Sequence, residues 1–464
     1  MQLSLLSTEI QEFINSSLQA NISKLALSKN PFPEVDWKEI INQIVSKNKS
    51  QHKLPTWFNT DNIYYPASIS IEQTSSETTA KYKSELISGT SLIDLTGGFG
   101  VDDYYFSKQF EHVIHCEKNG ALSEMVQHNY GVLNVNNITC LAQNSTEVIE
   151  QSENAFDWIY IDPSRRSDVK GKVFLLKDCL PNVPENLSLY FSKSQSILIK
   201  TAPILDITAG CMELENIKAI HIVAIENEVK EILWLLEKGY DAEIELFAVN
   251  IQKEKTDCTT FILGEHTPAR FSLPQEFLYE PNAPLLKSGG VDYLCDALHI
   301  TKLHPHSHLF THSELVDFPG RRFSINEVIP FKKENLKKQL EGKKMNITTR
   351  NFPLTVEEIR KKYKIADPGH GFIALKEEKF ERSWLSDDDS GILAFRVGKE
   401  IDNSFINYTP WLPWSKFIVA TENKYVMYLY GHLNYYPLGP VHSSFINQTS
   451  GYSGQRKVWI QLMD

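Results

Sequence analysis

The chain is 464 residues long, 42% hydrophobic and 11% aromatic, too long for one ordinary domain and too apolar for a disordered chain. Its formal charge of −11 excludes a globally basic nucleic-acid binder, so such a role needs a local patch. The six cysteines (116, 140, 179, 211, 258, 295) form no C-x-x-C pair and read as buried, reduced thiols of a cytoplasmic protein; neither a signal peptide nor an apolar run of about 18 residues is present.

In chain order, residues 1 to about 60 read as short amphipathic helices. "STEIQEFINSSL" and "KNPFPEVDWKEIINQIVSKNK" carry apolar residues at helical spacing, and "KLPTWFNTDNIYYPASIS" reads as an extended connector. Over 86–265 β-branched runs alternate with helical segments. "SLIDL", "HVIHC", "NITCL", "FDWIYI", "SILIK", "IHIVAI" and "AEIELFAV" are strand candidates, with "CTTFIL" as a last one, and they predict a parallel sheet covered on both faces. "KEILWLLEKG" is apolar on both periods, so helix and strand both stay open for it. Residues 266–317 are punctuated by Pro and Gly and rich in His. Residues 318–397 form another small α/β pattern, with strands in "RRFSINEVI" and "KMNITTR" and helices in "KENLKKQLEG" and "TVEEIRKKYK". Residues 398–464 are rich in Tyr, Trp, Pro and Ser and carry no motif.

The stretch "LIDLTGGFGVDDYYFSKQFEHVIHCEKN" places Gly97, Gly98 and Gly100 between a strand ending at Asp94 and a helix, an arrangement in which backbone can approach a nucleotide cofactor. A P-loop would need G-K-[ST], which is absent, and Asp103 stands where a dinucleotide fingerprint needs its third glycine. The remaining class is S-adenosylmethionine, which has no phosphate and carries a cationic sulfonium. Glu117 ends the second strand, where a carboxylate can accept both ribose hydroxyls; a plain solvated acid is the alternative. "FDWIYIDPSRR" sets Asp162 and Pro163 at the tip of the fourth strand, on the edge where parallel sheets bind ligands; Asp-Pro is also an ordinary turn starter.

"DLTGGFGVD", "CEKN" and "DPSRR", with "KLPTW", "IYYPASISIEQTSSETTAKYKS", "KTAPILDI" and "FPGRRF", resemble the bacterial class I S-adenosylmethionine-dependent methyltransferases with a THUMP-like C-terminal domain, over roughly residues 50–395. "EQTSSETTAKYKS" also resembles the segment that closes over the cofactor in cap-guanine methyltransferases. The resemblance implies an α/β fold: a class I Rossmann-like seven-stranded sheet with a helical N-terminal segment and small α+β C-terminal domains. Its parts would be a helical region with a cofactor-covering segment (1–85), the methyltransferase domain (86–265), a ferredoxin-like linker domain (266–317), a THUMP-like domain (318–397) and an extension of unknown role (398–464). It implies that Asp94, Thr96, Gly97, Gly98, Gly100 and Asp102 hold S-adenosylmethionine together with Glu117 on the ribose and Asn144 on the adenine. Gln73, Ser75 and Ser76 would lie over the cofactor, and a helix-capping role for the serines is compatible with that.

Asp162 and Pro163 suit a nitrogen acceptor, whose N–H a carboxylate can hold while its lone pair is aimed at the methyl group. Carbon-5 chemistry would want a cysteine nucleophile, and none follows Asp162-Pro163. Arg165 and Arg166 stand where related enzymes place an aromatic; they read as phosphate or stacking contacts, or as a solvated turn. Lys200 ends the fifth strand with no assigned role. Between Phe331 and Lys364, 11 Lys/Arg face 4 Asp/Glu, a basic island on an acidic chain that includes Lys337, Lys338, Lys343 and Lys344 and follows Arg321, Arg322 and Phe323. It reads either as two solvated helix faces or as a surface for structured RNA, tRNA or rRNA, and the resemblance favours the RNA. DNA and membrane partners are not expected. His299, His304, His306, His308 and His312 would put alternate imidazoles on one face of an extended segment. A metal site and plain surface or interdomain hydrogen bonding are the two readings; neither Cys nor carboxylate stands close beside them, so no metal ligand is assigned. Against the RNA methyltransferase stand a methyltransferase of proteins or metabolites and a non-catalytic RNA binder.

Overall fold

The computed structural model describes residues 3–165, 175–265, 268–330, 341, 345–350, 354–365, 393–400 and 425–430. They fall into two compact units, Met1–Ile225 with Val229–Phe247, and Glu226–Glu228 with Ala248–Asp464.

The first unit opens with helices α1 (Thr8–Ser16), α2 (Ile22–Ala26) and α3 (Trp37–Lys53), the last two capped by the side chains of Asn21 and Asp36. Ile10, Ile14, Ile40 and Ile44 recur at i, i+4 and pack with Leu5, Phe32, Val35 and Tyr64. The connector is not extended throughout. Pro55 starts the short α4 (Pro55–Asn59), and α5 (Ser68–Gln73) follows. Only residues 60–67 between them lack helix, and α3 holds that stretch through polar side chains. Gln43 accepts the Tyr65 amide (2.9 Å) and donates to its carbonyl (2.7 Å), and Ser46 donates to the Pro66 carbonyl (2.8 Å). The helical period therefore shows on the apolar side of α3, while its polar side grips backbone.

After α6 (Glu77–Leu86) comes the sheet: β1 (Gly89–Asp94), β2 (Phe110–Cys116), β3 (Ile138–Leu141), β4 (Phe156–Ile161), β5 (Ser194–Thr201), β6 (Ile217–Ile225) and β7 (Glu228–Glu237). Their order is β3-β2-β1-β4-β5-β7-β6, parallel from β3 to β5, with β7 antiparallel to β5. This is the class I Rossmann-like sheet that the sequence leads one to expect. Leu92, Ile93, Ile159, Ile161, Ile197 and Ile199 have no exposed surface, each side chain contributing about 1.5–3 kcal/mol on burial. The undecided "KEILWLLEKG" is β7. Ile232, Leu233, Trp234 and Leu236 are buried on both its faces, which is why neither period stood out. Helices α7 (Val101–Phe106), α8 (Gly120–Val132), α9 (Ser145–Gln151), α10 (Val183–Lys193) and α11 (Ile207–Glu213) join the strands.

β8 (Glu245–Ile251) spans the boundary between the units, and β9 (Thr256–Ile262) follows it. The second unit also holds β10 (Phe277–Pro281), β11 (Thr301–Lys302), β12 (Phe310–His312), β13 (Gly320–Pro330), β14 (Met345–Arg350), β15 (Leu393–Glu400) and β16 (Tyr425–Tyr430), in the order β11-β12-β10-β13-β15-β16-β14. Helix α12 (Ala283–Ser288) is capped by Asn282, α13 is Leu294–Ala297, and α14 (Val356–Tyr363) starts in a full capping box of Thr355 and Glu358. The expected helix in "KENLKKQLEG" lies, apart from Glu341, outside the described residues. The histidine run is not one alternating strand. His299 (φ 54°) and His308 (φ 49°) are left-handed, and His304 is buried, its Nδ1 accepting the His306 amide at 3.2 Å. Of the cysteines, Cys116, Cys179 and Cys295 are buried, Cys140 and Cys211 half-buried and Cys258 exposed, and none is in a disulfide. No helix among the described residues is long and apolar enough to cross a membrane.

Candidate functional site: the carboxyl edge of the first sheet

β1 and β4 are tied together at their tips. Asp94 Oδ1 accepts the Thr96 amide (2.7 Å) and its hydroxyl (2.9 Å), and the same Thr96 Oγ1 accepts the Asp162 amide (2.7 Å). Leu95 donates to the Tyr160 carbonyl at 3.0 Å. One threonine thus sets the distance between the glycine loop and the Asp162-Pro163 turn.

The three glycines answer different steric demands. The Gly97 amide donates to the Cys116 carbonyl (2.9 Å), and a Cβ there would lie 2.2 Å from His115 Cε1. Gly98 (φ 55°) and Gly100 (φ 74°) are left-handed. A Cβ on Gly100 would meet the Tyr130 hydroxyl at 2.1 Å; that hydroxyl donates to the Gly100 carbonyl (2.9 Å). The face of Gly98 is open: a Cβ there would meet no atom closer than the Thr96 carbonyl oxygen at 3.6 Å. Its amide donates to Glu117 Oε2 (3.2 Å), while Glu117 Oε1 accepts the Asn119 amide (2.7 Å). An adenosyl group fits this edge. Glu117 stands at the β2 tip beside the one loop position with free space, and backbone alone forms the approach.

Asp103, which stands where a dinucleotide fingerprint needs its third glycine, faces the interior. It is fully buried against His115 Nδ1 (2.6 Å). Burial first, then a neighbouring carboxylate (Asp103 for Asp94, Asp102 for Asp103), pushes Asp94 and Asp103 well above the usual carboxylate range, and burial keeps His115 below its ordinary value. Under the loop lies a core cluster that carries little charge.

Its neighbour Asp102 is the acid of the rim. It accepts from the Ser75 hydroxyl (2.8 Å) and the Tyr160 hydroxyl (2.8 Å) and forms an ion pair with the Lys83 ammonium (3.0 Å). Burial works against its charge, but Lys83 and Lys200 outweigh that and hold its carboxyl below the usual range. Lys83, with no exposed surface, also donates to Ser75 Oγ (2.8 Å) and Glu231 Oε2 (2.9 Å). Lys200 ion-pairs with Asp162 Oδ2, and its pKa is raised: burial opposes the charge, but Asp162, Glu231 and Asp102 prevail.

Other expected residues are scattered. Gln73, Ser75 and Ser76 line a cavity beside Lys200, and Ser76 also caps α6 through the Thr79 amide (3.2 Å). Asn144 caps α9, accepting the Thr146 amide at 3.0 Å. Ser164–Arg165 pairs with Cys179–Leu180, and Arg166 lies outside the described residues, as do Lys337, Lys338, Lys343 and Lys344. In the second unit Arg321 is bonded to Glu280, Arg322 is 2% exposed beside Asp317, and Phe323 is completely buried. Arg322 and Phe323 are therefore interior residues, and Phe323 has no free ring face for a base. Lys53, Lys83, Tyr160, Lys230 and Glu231 were missed. Lys83 sits in "TTAKYKSEL", which reads as a solvated helix, and only its burial marks it. A second depression, of about 550 Å³, opens at the amino ends of β1, β4 and β5 around Gly89, Asp157 and Ser196, the edge that parallel sheets do not use for ligands.

The sheet order, the antiparallel β7 and the glycine loop at the β1 tip define a class I methyltransferase fold. Within it the chain is a homologue of a solved Porphyromonas gingivalis W83 protein provisionally described as a methyltransferase. The two share 28% identity over 80% of this chain and 94% of that one, with a TM-score of 0.72. Residues 277–319 match a ferredoxin-like domain family and residues 320–378 a THUMP domain-like family. More distant is an rRNA methylase from Streptococcus thermophilus (11% identity, 35% of this chain, 94% of that one, TM-score 0.26). So is TrmK from M. capricolum in complex with S-adenosyl-homocysteine (14%, 35%, 68%, TM-score 0.28). No curated protein sequence matches the chain.

Proposed function

We propose that this chain is an S-adenosylmethionine-dependent methyltransferase acting on a base nitrogen of structured RNA, tRNA or rRNA. The observation that carries the reading is the Thr96 bridge, which holds the cofactor-type loop and Asp162 at adjacent strand tips. S-adenosylmethionine, when bound, supplies an electrophilic methyl group. The chain's residues do the rest. The Gly97–Gly100 backbone and Glu117 hold the adenosyl end, and Asp102, neutralised by Lys83, borders the loop. Asp162 accepts the N–H of the acceptor and turns the nitrogen lone pair toward the methyl. Alignment of the two reactants is the main source of rate. Lys200 keeps the Asp162 carboxylate in one place.

Nitrogen is favoured over pyrimidine carbon-5 by the state of the thiols. Burial pushes Cys116 up strongly and Cys140 up to about 12, so neither supplies the thiolate such chemistry needs. RNA as the acceptor is supported by the THUMP-like match and by the basic run from Phe331 to Lys364. The test is nucleoside mass spectrometry of RNA from cells with and without the protein, beside calorimetry with S-adenosylhomocysteine. Loss of one N-methylated nucleoside is expected. An unchanged profile with intact cofactor binding would shift the acceptor to a protein or metabolite.

A further inference from the structure

A cavity of about 370 Å³, in the range of small-molecule sites, opens between the 72–76 segment and the start of β7. Lys53, Lys200 and Lys230 line it together with Glu231, Ser75 and Ser76. Lys200 joins the cavity to the reaction edge, because it also holds Asp162. The Lys53 ammonium is anchored by the Glu72 carbonyl at 2.6 Å. The lysines crowd one another. Burial first, then Lys200 and Lys230, lower the pKa of Lys53 to about 8. An anion in the cavity would relieve that repulsion. Glu231 adds the opposite need. It is 2% exposed, with Oε2 held by Lys83, and Oε1 has no hydrogen-bond partner among the described residues. A buried carboxylate oxygen without a donor is destabilising, and an N–H brought into the cavity would supply one.

We propose that this cavity is the acceptor subsite and that it takes one unstacked nucleotide: its phosphate on Lys53 and Lys230, an N–H of its base on Glu231, and its reacting nitrogen toward Asp162. The inference rests on the methyltransferase reading and adds what that reading lacks, the unit of recognition. A cavity of this size admits a single nucleotide and no stacked or paired segment, so the target base enters flipped out or from a single-stranded loop. Ser75 links the site to the cofactor edge: its hydroxyl donates to Asp102 and accepts from Lys83.

The test uses the full chain saturated with S-adenosylhomocysteine, titrated calorimetrically with the four nucleoside 5′-monophosphates, the four nucleosides and inorganic phosphate. At least one monophosphate should bind ten or more times tighter than both its nucleoside and phosphate. Lys53→Glu with Lys230→Glu should cut that binding at least tenfold while S-adenosylhomocysteine affinity stays within twofold. Glu231→Gln should weaken the monophosphate and leave inorganic phosphate unchanged. Monophosphates binding no tighter than phosphate would reduce the cavity to an anion site and overturn the proposal. So would nucleotide binding indifferent to the lysine pair. Failure of the unaltered protein to bind S-adenosylhomocysteine would instead remove the methyltransferase reading beneath it.

Discussion

The glycine loop at the β1 and β2 tips and the cavity beside β5 and β7 adjoin each other yet are built on opposite principles. The loop is made of backbone: left-handed glycines, amides and one carboxylate, all between Asp94 and Glu117. The cavity is lined by long charged side chains drawn from α3, α5, β5 and β7. The first suits a ligand that never changes, because backbone geometry offers little to vary. The second suits an acceptor whose identity is set by charge and hydrogen-bond pattern. Lys83 belongs to both, binding Asp102 on the loop side and Glu231 on the cavity side.

That makes Lys83→Met the sharpest way to break the comparison. It leaves two buried carboxylates without their cation, and denaturant unfolding should show a loss of about 3–5 kcal/mol. A loss below about 1 kcal/mol would mean that the two regions do not share this cation. Asp162→Ala should separate them cleanly. On the proposed reading, methyl transfer should fall by about a hundredfold or more, as for removal of a positioned acid–base group, while S-adenosylhomocysteine affinity is kept. Equal loss of both would place Asp162 in the cofactor site instead. Gly97→Ala drives a methyl group into His115 and should cost about 1–3 kcal/mol of stability and weaken the cofactor, with the cavity's response to phosphate unchanged in the folded fraction. The smallest effect is a pH dependence on the cavity side alone. With its folded pKa lowered to about 8, Lys53 is charged below that pH and neutral above it. Phosphate or nucleotide affinity should therefore fall by a few-fold as pH rises through 8 and cofactor affinity should not. Lys53→Met should be weaker at pH 7 and flat across the same range.

The contrast also explains what could be read in advance. Alternating strands and helices, the loop, Glu117 and Asp162 sit within short stretches where spacing reports geometry. Where burial is two-sided the periods fail, as in β7, and a polar residue with a hidden partner gives no local signal, as with Asp103. Nothing in the glycine pattern shows that His115, twelve residues on, takes its carboxylate inward. Phe323 and Arg322 misled for the same reason: an aromatic beside arginines looks like a surface for bases until the fold closes over it.

By itself, the sequence determined the alternation of strands and helices from β1 to β6 and the chemistry of the loop, because strand periodicity, glycine conformational freedom and acids at strand ends act over a few residues. Only the tertiary structure decided that Lys83 is a buried hub, that Lys53, Lys200 and Lys230 surround one cavity, and that Glu231 turns a carboxylate inward. Lys83 and Glu231 are 148 positions apart, and an ion pair between them has no local pattern to announce it. Its strength comes from the exclusion of water, which exists only once the chain has folded.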